Sequence, residues 1–305
     1  MSPPRVLFVG RTTLDVLYRL DQMPEEDIKT YALDLQAAPG GPALNAAITH
    51  SLLGGQAMLV SAVGNGLWAA PVRSQLRRHS VRLLDLAAGT AYETPLCTVL
   101  INAADATRTI VNPPISQVAL RHLRASWAAE MPSTWGAIPP VVLCDGFFFE
   151  ETSALLSACK NAGAALCLDG GSWKPGAEEL AGLLTVAICS ERFGIPGHTG
   201  GPNGDSDALF AWFATKGVPY VAVTRGAKSI LACDRGRRFE VEVAKITATD
   251  TLGAGDVLHG AFCHQFALKP DFEPALRRAS EIATLSCQSL GAQAWATQSG
   301  RAMTG

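Results

Sequence analysis

Short, nearly continuous apolar runs recur along the chain at residues 6–10, 58–63, 141–144, 165–168, 186–189 and 220–223. Runs of this length without polar alternation predict strands buried on both faces. Between several of them the apolar positions take a helical spacing, at residues 43–53, 72–79, 153–161, 206–216 and 274–290. Strand and helix in alternation predict an α/β fold, a doubly wound and mostly parallel sheet covered by helices on both faces. Gly10, Gly64, Asp145, Asp169, Ser190 and Thr224 fall at or just after the ends of these runs. In an open parallel sheet that rim is where ligands bind.

Two segments break the alternation. Residues 16–38 and 93–111 contain polar/apolar pieces, such as 94–101 and 107–111, with the period of half-exposed strands. They predict antiparallel strands outside the main sheet. Their apolar positions are Leu17, Leu20, Leu33, Leu35, Leu96, Val99 and Ile101. Residues 194–205 hold five glycines and two prolines and predict a surface loop. No internal repeat or linker divides the chain, so residues 1–305 read as one domain.

The segment Asp250-Thr251-Leu252-Gly253-Ala254-Gly255-Asp256 carries the clearest chemistry. An alternating stretch at 239–244 precedes it as a strand, and an apolar run from Val257 follows it as a buried helix. A Gly-Ala-Gly turn opening a helix presents backbone N–H groups to an anion. Asp256 falls in the first turn, where the helix dipole favours a carboxylate. Anion hole and carboxylate side by side suit phosphoryl transfer to a hydroxyl, with Gly253, Ala254 and Gly255 holding the phosphoryl and Asp256 taking the proton. Two other glycine motifs are excluded. A dinucleotide fingerprint needs Gly or Ala where Leu258 stands, and no Gly-Lys-Ser/Thr follows any glycine loop.

Composition narrows the class. Hydrophobic residues make up 48% and charged residues 17%, enough apolar surface for a large core. A net charge of −2 gives no general affinity for nucleic acid or an anionic membrane, so any phosphate site is local. The eight cysteines lie mostly inside apolar runs without C-x-x-C pairs, as buried free thiols of a reducing compartment do. Residues 1–5 lack a leader pattern and no apolar run is long enough to span a bilayer, so the expected location is cytoplasmic.

The heptapeptide at 250–256 resembles the C-terminal signature of the PfkB-type carbohydrate kinases, the ribokinase-like family. Gly40-Gly41-Pro42-Ala43-Leu44-Asn45-Ala46-Ala47 resembles the family's upstream signature, and Gly10 followed by Asp15 fits its first strand. The three occur in the family's order. The resemblance implies ATP-dependent phosphorylation of a hydroxymethyl group on a sugar or sugar-like substrate, with Asp256 as base. It implies that Asp15, Gly40, Gly41 and Asn45 hold the acceptor, under a small β lid, and that lids pair into a homodimer. Thr224-Arg225-Gly226 matches the start of a family nucleotide motif, although its last glycine is Ser229 here. By the same resemblance Ser190, Thr224, Arg225 and Gly226 face ATP, Mg²⁺ accompanies it, and Asp250 lies by a monovalent cation such as K⁺. The family's N-x-x-E segment is altered: Ser190 replaces Asn, Glu191 has the wrong spacing, and the magnesium ligands stay unassigned. Gly64-Asn65 stands where Gly-Asp is common. Lys29 and Arg108 are lid cations that could meet an anionic or polyhydroxy substrate. Tyr18, Tyr31 and Tyr92 leave a nucleoside kinase open, and a non-catalytic sugar-binding protein is the remaining alternative.

Overall fold

A computed structural model describes residues 2–105, 107–114, 137–197, 206–289, 291, 293, 295 and 296. The predicted buried strands form the middle of a nine-stranded sheet. They are β1 (Arg5–Val9), β4 (Gln56–Ser61), β8 (Val141–Cys144), β9 (Ala165–Gly170), β10 (Val186–Ser190) and β11 (Tyr220–Arg225). With β5 (Arg82–Asp85), β12 (Lys228–Asp234) and β13 (Arg237–Val241) the order is β13-β12-β11-β10-β9-β8-β1-β4-β5. Every neighbouring pair from β5 to β11 is parallel, and only β12 and β13 at one edge run antiparallel.

Alternate side chains divide each strand between two cores. Val6 and Phe8 point into one, Leu7 and Val9 into the other, all fully buried. Helices α1 (Pro42–Leu52), α2 (Ala69–Arg78), α6 (Ala254–Leu268) and α7 (Phe272–Ser286) cover the first face. Helices α3 (Phe149–Asn161), α4 (Ala177–Ala181) and α5 (Ser206–Thr215) cover the second. Burial on both faces is why these strands read as apolar runs rather than as alternation.

A separate four-stranded sheet has the order β3-β2-β6-β7, from β2 (Thr13–Leu20), β3 (Asp34–Gly40), β6 (Leu96–Asn102) and β7 (Thr107–Val111). It corrects the all-antiparallel expectation, because its central pair, β2 and β6, runs parallel. Two antiparallel pairs, β2–β3 and β6–β7, are joined through that seam. Parallel pairing needs a long crossover, here the chain from α1 to β5, which no local pattern in β2 or β6 reveals. The strand expected over 239–244 ends at Val241, where its pairing to β12 ends. Residues 198–205 of the expected loop lie outside the described residues, and the helix expected over 274–290 is α7, which stops at Ser286 and gives way to a turn from Cys287.

Candidate active site

The two sheets enclose a cleft of about 520 Å³ above the carboxyl ends of the main strands. Its floor is the start of α6. Gly253 caps that helix with φ 74°, a left-handed conformation that glycine adopts without cost. The preceding loop is stitched down at several points. Leu252 N–H donates to Asp250 Oδ1 at 2.8 Å, and Gly291 N–H donates to Asp250 Oδ2 at 2.9 Å. Thr249 and Asp250 N–H groups both donate to the Cys287 carbonyl beyond α7. Asp250 therefore shapes the turn that delivers Gly253–Asp256. A Cβ added at Gly255 would meet nothing within 4 Å, so the opening turn of α6 looks onto free space. The first turn of any helix leaves N–H groups without intrahelical partners.

Asp256 lies on this floor, and Asn45 Nδ2 donates to its Oδ2 at 2.8 Å. The pair meets because α1 and α6 pack closely. A Cβ on Gly260 would collide with the Ala46 carbonyl and the Thr49 side chain. Burial pushes the Asp256 carboxyl up to about 7; the nearby Asp169 charge adds to the rise, while the Asn45 hydrogen bond and His259 oppose it. Asp169 is buried at the end of β9 with Oδ2 lacking a hydrogen-bond partner, and His259 Nδ1 is 3.5 Å from it. His259 also lies 2.7 Å from the Gly255 carbonyl through Nδ1 and 3.1 Å from the Ile188 carbonyl through Nε2. It pins the first turn of α6 to β10. Sequence reasoning placed Asp169 on the rim only and missed His259, one of two histidines inside a largely apolar helix.

The small sheet forms another wall of the cleft. Thr13, Asp15 and Leu17 line the cleft from alternate positions of β2, with Gln36, Ala38 and Gly40 from β3. Thr13 Oγ1 donates to Asp15 Oδ1 at 2.6 Å. Burial raises the Asp15 carboxyl above its ordinary range, against the Thr13 hydrogen bond and the charge of Arg11. Gly40 lies against Asp15, where any Cβ would strike the carboxylate. Gly41 caps α1 with φ 101° and leads into Asn45. Asp15, Gly40, Gly41, Asn45 and Asp256 thus line one cleft from four separate elements.

Ser190 and Thr224 are register partners on β10 and β11, and both line the cleft. Thr224 Oγ1 donates to the Cys189 carbonyl at 3.3 Å, and Arg192 N–H donates to Ser190 Oγ at 3.2 Å. Arg225 and Gly226 are not among the cleft-lining residues. The Arg225 guanidinium turns along the β11–β12 hairpin, donating to the Ser229 carbonyl and hydroxyl at 2.8 Å. Gly226 forms the turn of that hairpin at φ 63°. Ser229, the departure from the glycine motif, is what holds Arg225 there. Arg108 lines the cleft and donates from Nη1 to Thr251 Oγ1 at 2.7 Å, bridging lid and floor. Lys29 and Asn65 are exposed, and Glu191 does not line the cleft. Nor do Tyr18, Tyr31 or Tyr92: Tyr92 is buried elsewhere and Tyr31 is exposed, whereas Phe147 does line the cleft. Among the described residues no helix is long and apolar enough to cross a membrane, and no three His, Cys, Asp or Glu side chains cluster as metal ligands.

Fold and cleft define a carbohydrate kinase, a phosphotransferase with an alcohol acceptor. The chain matches the family model of the pfkB family carbohydrate kinases over residues 4–298 and belongs to that family. It is 25% identical to the ribokinase of Bacillus subtilis over 299 residues, covering 94% of each chain. Its fold is similar to that of Giardia lamblia ribokinase, with a TM-score of 0.83, 15% identity and 99% of each chain covered. Arabidopsis thaliana ribokinase complexed with ribose and ATP superposes with a TM-score of 0.71 at 22% identity, covering 97% of this chain and 96% of that one.

Proposed function

We propose that the protein phosphorylates a hydroxymethyl group of a sugar or sugar-like acceptor with ATP. One observation carries this reading: Asp256, oriented by Asn45, lies beside the open first turn of α6 within a cleft lined by Asp15. Asp256 accepts the acceptor's hydroxyl proton. Backbone N–H groups of Gly253, Ala254 and Gly255 take up charge on the moving phosphoryl at the positive end of the helix. Proton loss is late in a loose phosphoryl transfer, so a carboxylate that is ionised and aligned suffices. Asp15, Gly40, Gly41 and Asn45 orient the acceptor. Ser190 and Thr224 lie towards the nucleotide, and Arg225 and Gly226 contribute to it only through the hairpin they shape.

Mg²⁺ belongs to this reading as the ion that spreads the charge of the nucleotide phosphates. Asp169 fits a hydrated cation there, since its buried Oδ2 is an acceptor without a donor. Each Asp250 oxygen accepts one N–H and keeps lone pairs, which fits a K⁺ beside the loop.

Assembly follows from the lid. Its strands alternate, so Leu17 and Val99 join the cleft wall, whereas Leu35 and Leu96 point to the opposite face and are exposed there. That outer face is proposed to pair with a second copy. The buried free thiols are consistent with a cytoplasmic enzyme.

The test is ADP release with MgATP over a panel of sugars, sugar derivatives and nucleosides, the products identified by phosphorus NMR. Acceptor-dependent formation of a phosphate monoester supports the assignment. A full panel without acceptor-dependent ADP release or ligand-induced stabilisation overturns it.

A further inference from the structure

Arg11 is a cation without a visible purpose in the sugar kinase reading. It lies two residues before β2, at the position whose alternation Thr13, Asp15 and Leu17 continue, and like them it lines the cleft. Only 6% of the residue is exposed. A guanidinium stays charged under all ordinary conditions, and burying it without a counter-charge is costly. Yet Nε has no hydrogen-bond partner, and the contacts of the guanidinium are weak ones. Nη2 reaches the Cys97 thiol only at 4.0 Å, and Cζ sits 5.2 Å from the centre of the Phe147 ring. Among the described residues it forms no ion pair within 4.0 Å. Asp15 is near enough to feel its charge, but Asp15 takes its hydrogen bond from Thr13.

The surroundings extend the pattern. The Cys97 thiol donates to Asn112 Oδ1 at 3.0 Å, which commits the acceptor end of that amide. The Asn112 amide nitrogen is left as a donor on the same cleft wall. Phe147, which also lines the cleft, carries Lys174 Nζ at 4.6 Å from its ring centre. Backbone geometry holds Arg11 in place, because its N–H donates to the buried Asp145 Oδ2 at 2.8 Å. A fixed, desolvated fork of donors beside a free amide suits a group with anionic oxygens.

We propose that Arg11 and Asn112 form an anion-binding subsite in the acceptor pocket, so that the acceptor is a polyhydroxy compound bearing a carboxylate or phosphate group and not a neutral sugar. This rests on the kinase reading of the cleft. The rival role for Arg11 is structural: stacking on Phe147 and biasing Asp15. That role would affect all acceptors alike.

The experiment compares aldonic acids and terminal sugar monophosphates with their neutral parent sugars, by calorimetry beside an unreactive ATP analogue and by ADP release. The unmodified protein should bind an anionic member at least about 10-fold more tightly than its neutral parent, the worth of a charge-assisted hydrogen bond. Whether a carboxylate or a phosphate wins identifies the group. In Arg11→Gln the anionic-to-neutral preference should collapse, in Arg11→Lys it should partly survive, and in Asn112→Ala, which alters an exposed residue, it should shrink. Preference for the neutral sugars, or an unchanged anionic-to-neutral ratio in folded Arg11→Gln and Asn112→Ala, overturns the subsite. Turnover of neutral sugars with such an unchanged ratio removes the subsite and keeps the kinase. Arg11-dependent binding of anions with no phosphoryl transfer to any acceptor keeps the subsite and removes the kinase.

Discussion

Asn45 and Asp256 are 211 positions apart, yet the amide of one donates to the carboxylate of the other at 2.8 Å. The contact depends on how closely α1 and α6 approach, and Gly260 sets that approach, since any Cβ there would meet the backbone of Ala46. Gly260→Ala should therefore force the helices apart. Overpacking of this kind costs about 1–3 kcal/mol. Denaturant unfolding should show that loss, and kcat should fall with it as Asn45 draws away from Asp256. A variant with unchanged stability and kcat would mean the two helices can shift without consequence for Asp256.

The pH dependence follows from the same carboxylate. Asp256 must be ionised to accept a proton, and burial with Asp169 nearby pushes it up to about 7. The acid limb of kcat/KM should fall about tenfold per pH unit below that value. Asp169→Asn removes one cause of the rise and should move the limb to lower pH. Stability responds in the other direction. Asp256, and Asp145 raised to about 6, bind protons more tightly in the folded state than at the ordinary 3.8. Their contribution to stability therefore grows as pH falls from about 7 towards 3.8. His50, buried and lowered to about 3, opposes them, since its contribution is lost as pH falls from 6.5 towards 3. Activity should thus fall between pH 7 and 6 while denaturation midpoints change little. Parallel loss of both would tie the limb to unfolding.

Gly40 offers a test of the acceptor wall. A methyl group there would strike the Asp15 carboxylate. Gly40→Ala should displace Asp15 and weaken acceptor binding by about 1–3 kcal/mol, the scale of an unmet hydrogen bond in a closed site. Calorimetry should show nucleotide affinity nearly unchanged. Equal weakening of both ligands would make Asp15 a structural residue.

The lid predicts a dimer. Leu33, Leu35 and Leu96 are exposed on or beside the outer face, at 57%, 58% and 38%. A second copy packed on this face would cover them. Light scattering at micromolar concentration should give twice the chain mass, and Leu35→Lys should halve it. A monomer mass for the unmodified protein would remove lid pairing and leave the chemistry untouched.

Much of the fold was legible because the central strands are buried on both faces and announce themselves as apolar runs, and because Gly253 and Asp256 mark the start of α6 in the local sequence. The parallel seam between β2 and β6 was not, since Asp15 and Cys97 pair across a long crossover without a local trace. Among site residues, Asp15, Gly40, Asn45 and Asp256 lie in short glycine-bearing motifs. Asp169, His259 and Arg11 gain their meaning from contacts made only in the folded chain: an orphaned carboxylate oxygen, two carbonyls on one imidazole, and a buried guanidinium. Arg225 shows the converse, a residue suggested by a motif whose side chain the Ser229 substitution directs elsewhere.

Asp256→Asn isolates the proposed role of Asp256 as the base for phosphoryl transfer. The amide keeps the shape and can still accept from Asn45, but it cannot take a proton. With an acceptor the protein phosphorylates, kcat should drop by roughly 10²-fold or more while acceptor and nucleotide dissociation constants, measured by calorimetry, stay within about threefold. Near-normal turnover by the folded variant would show that Asp256 is not the base.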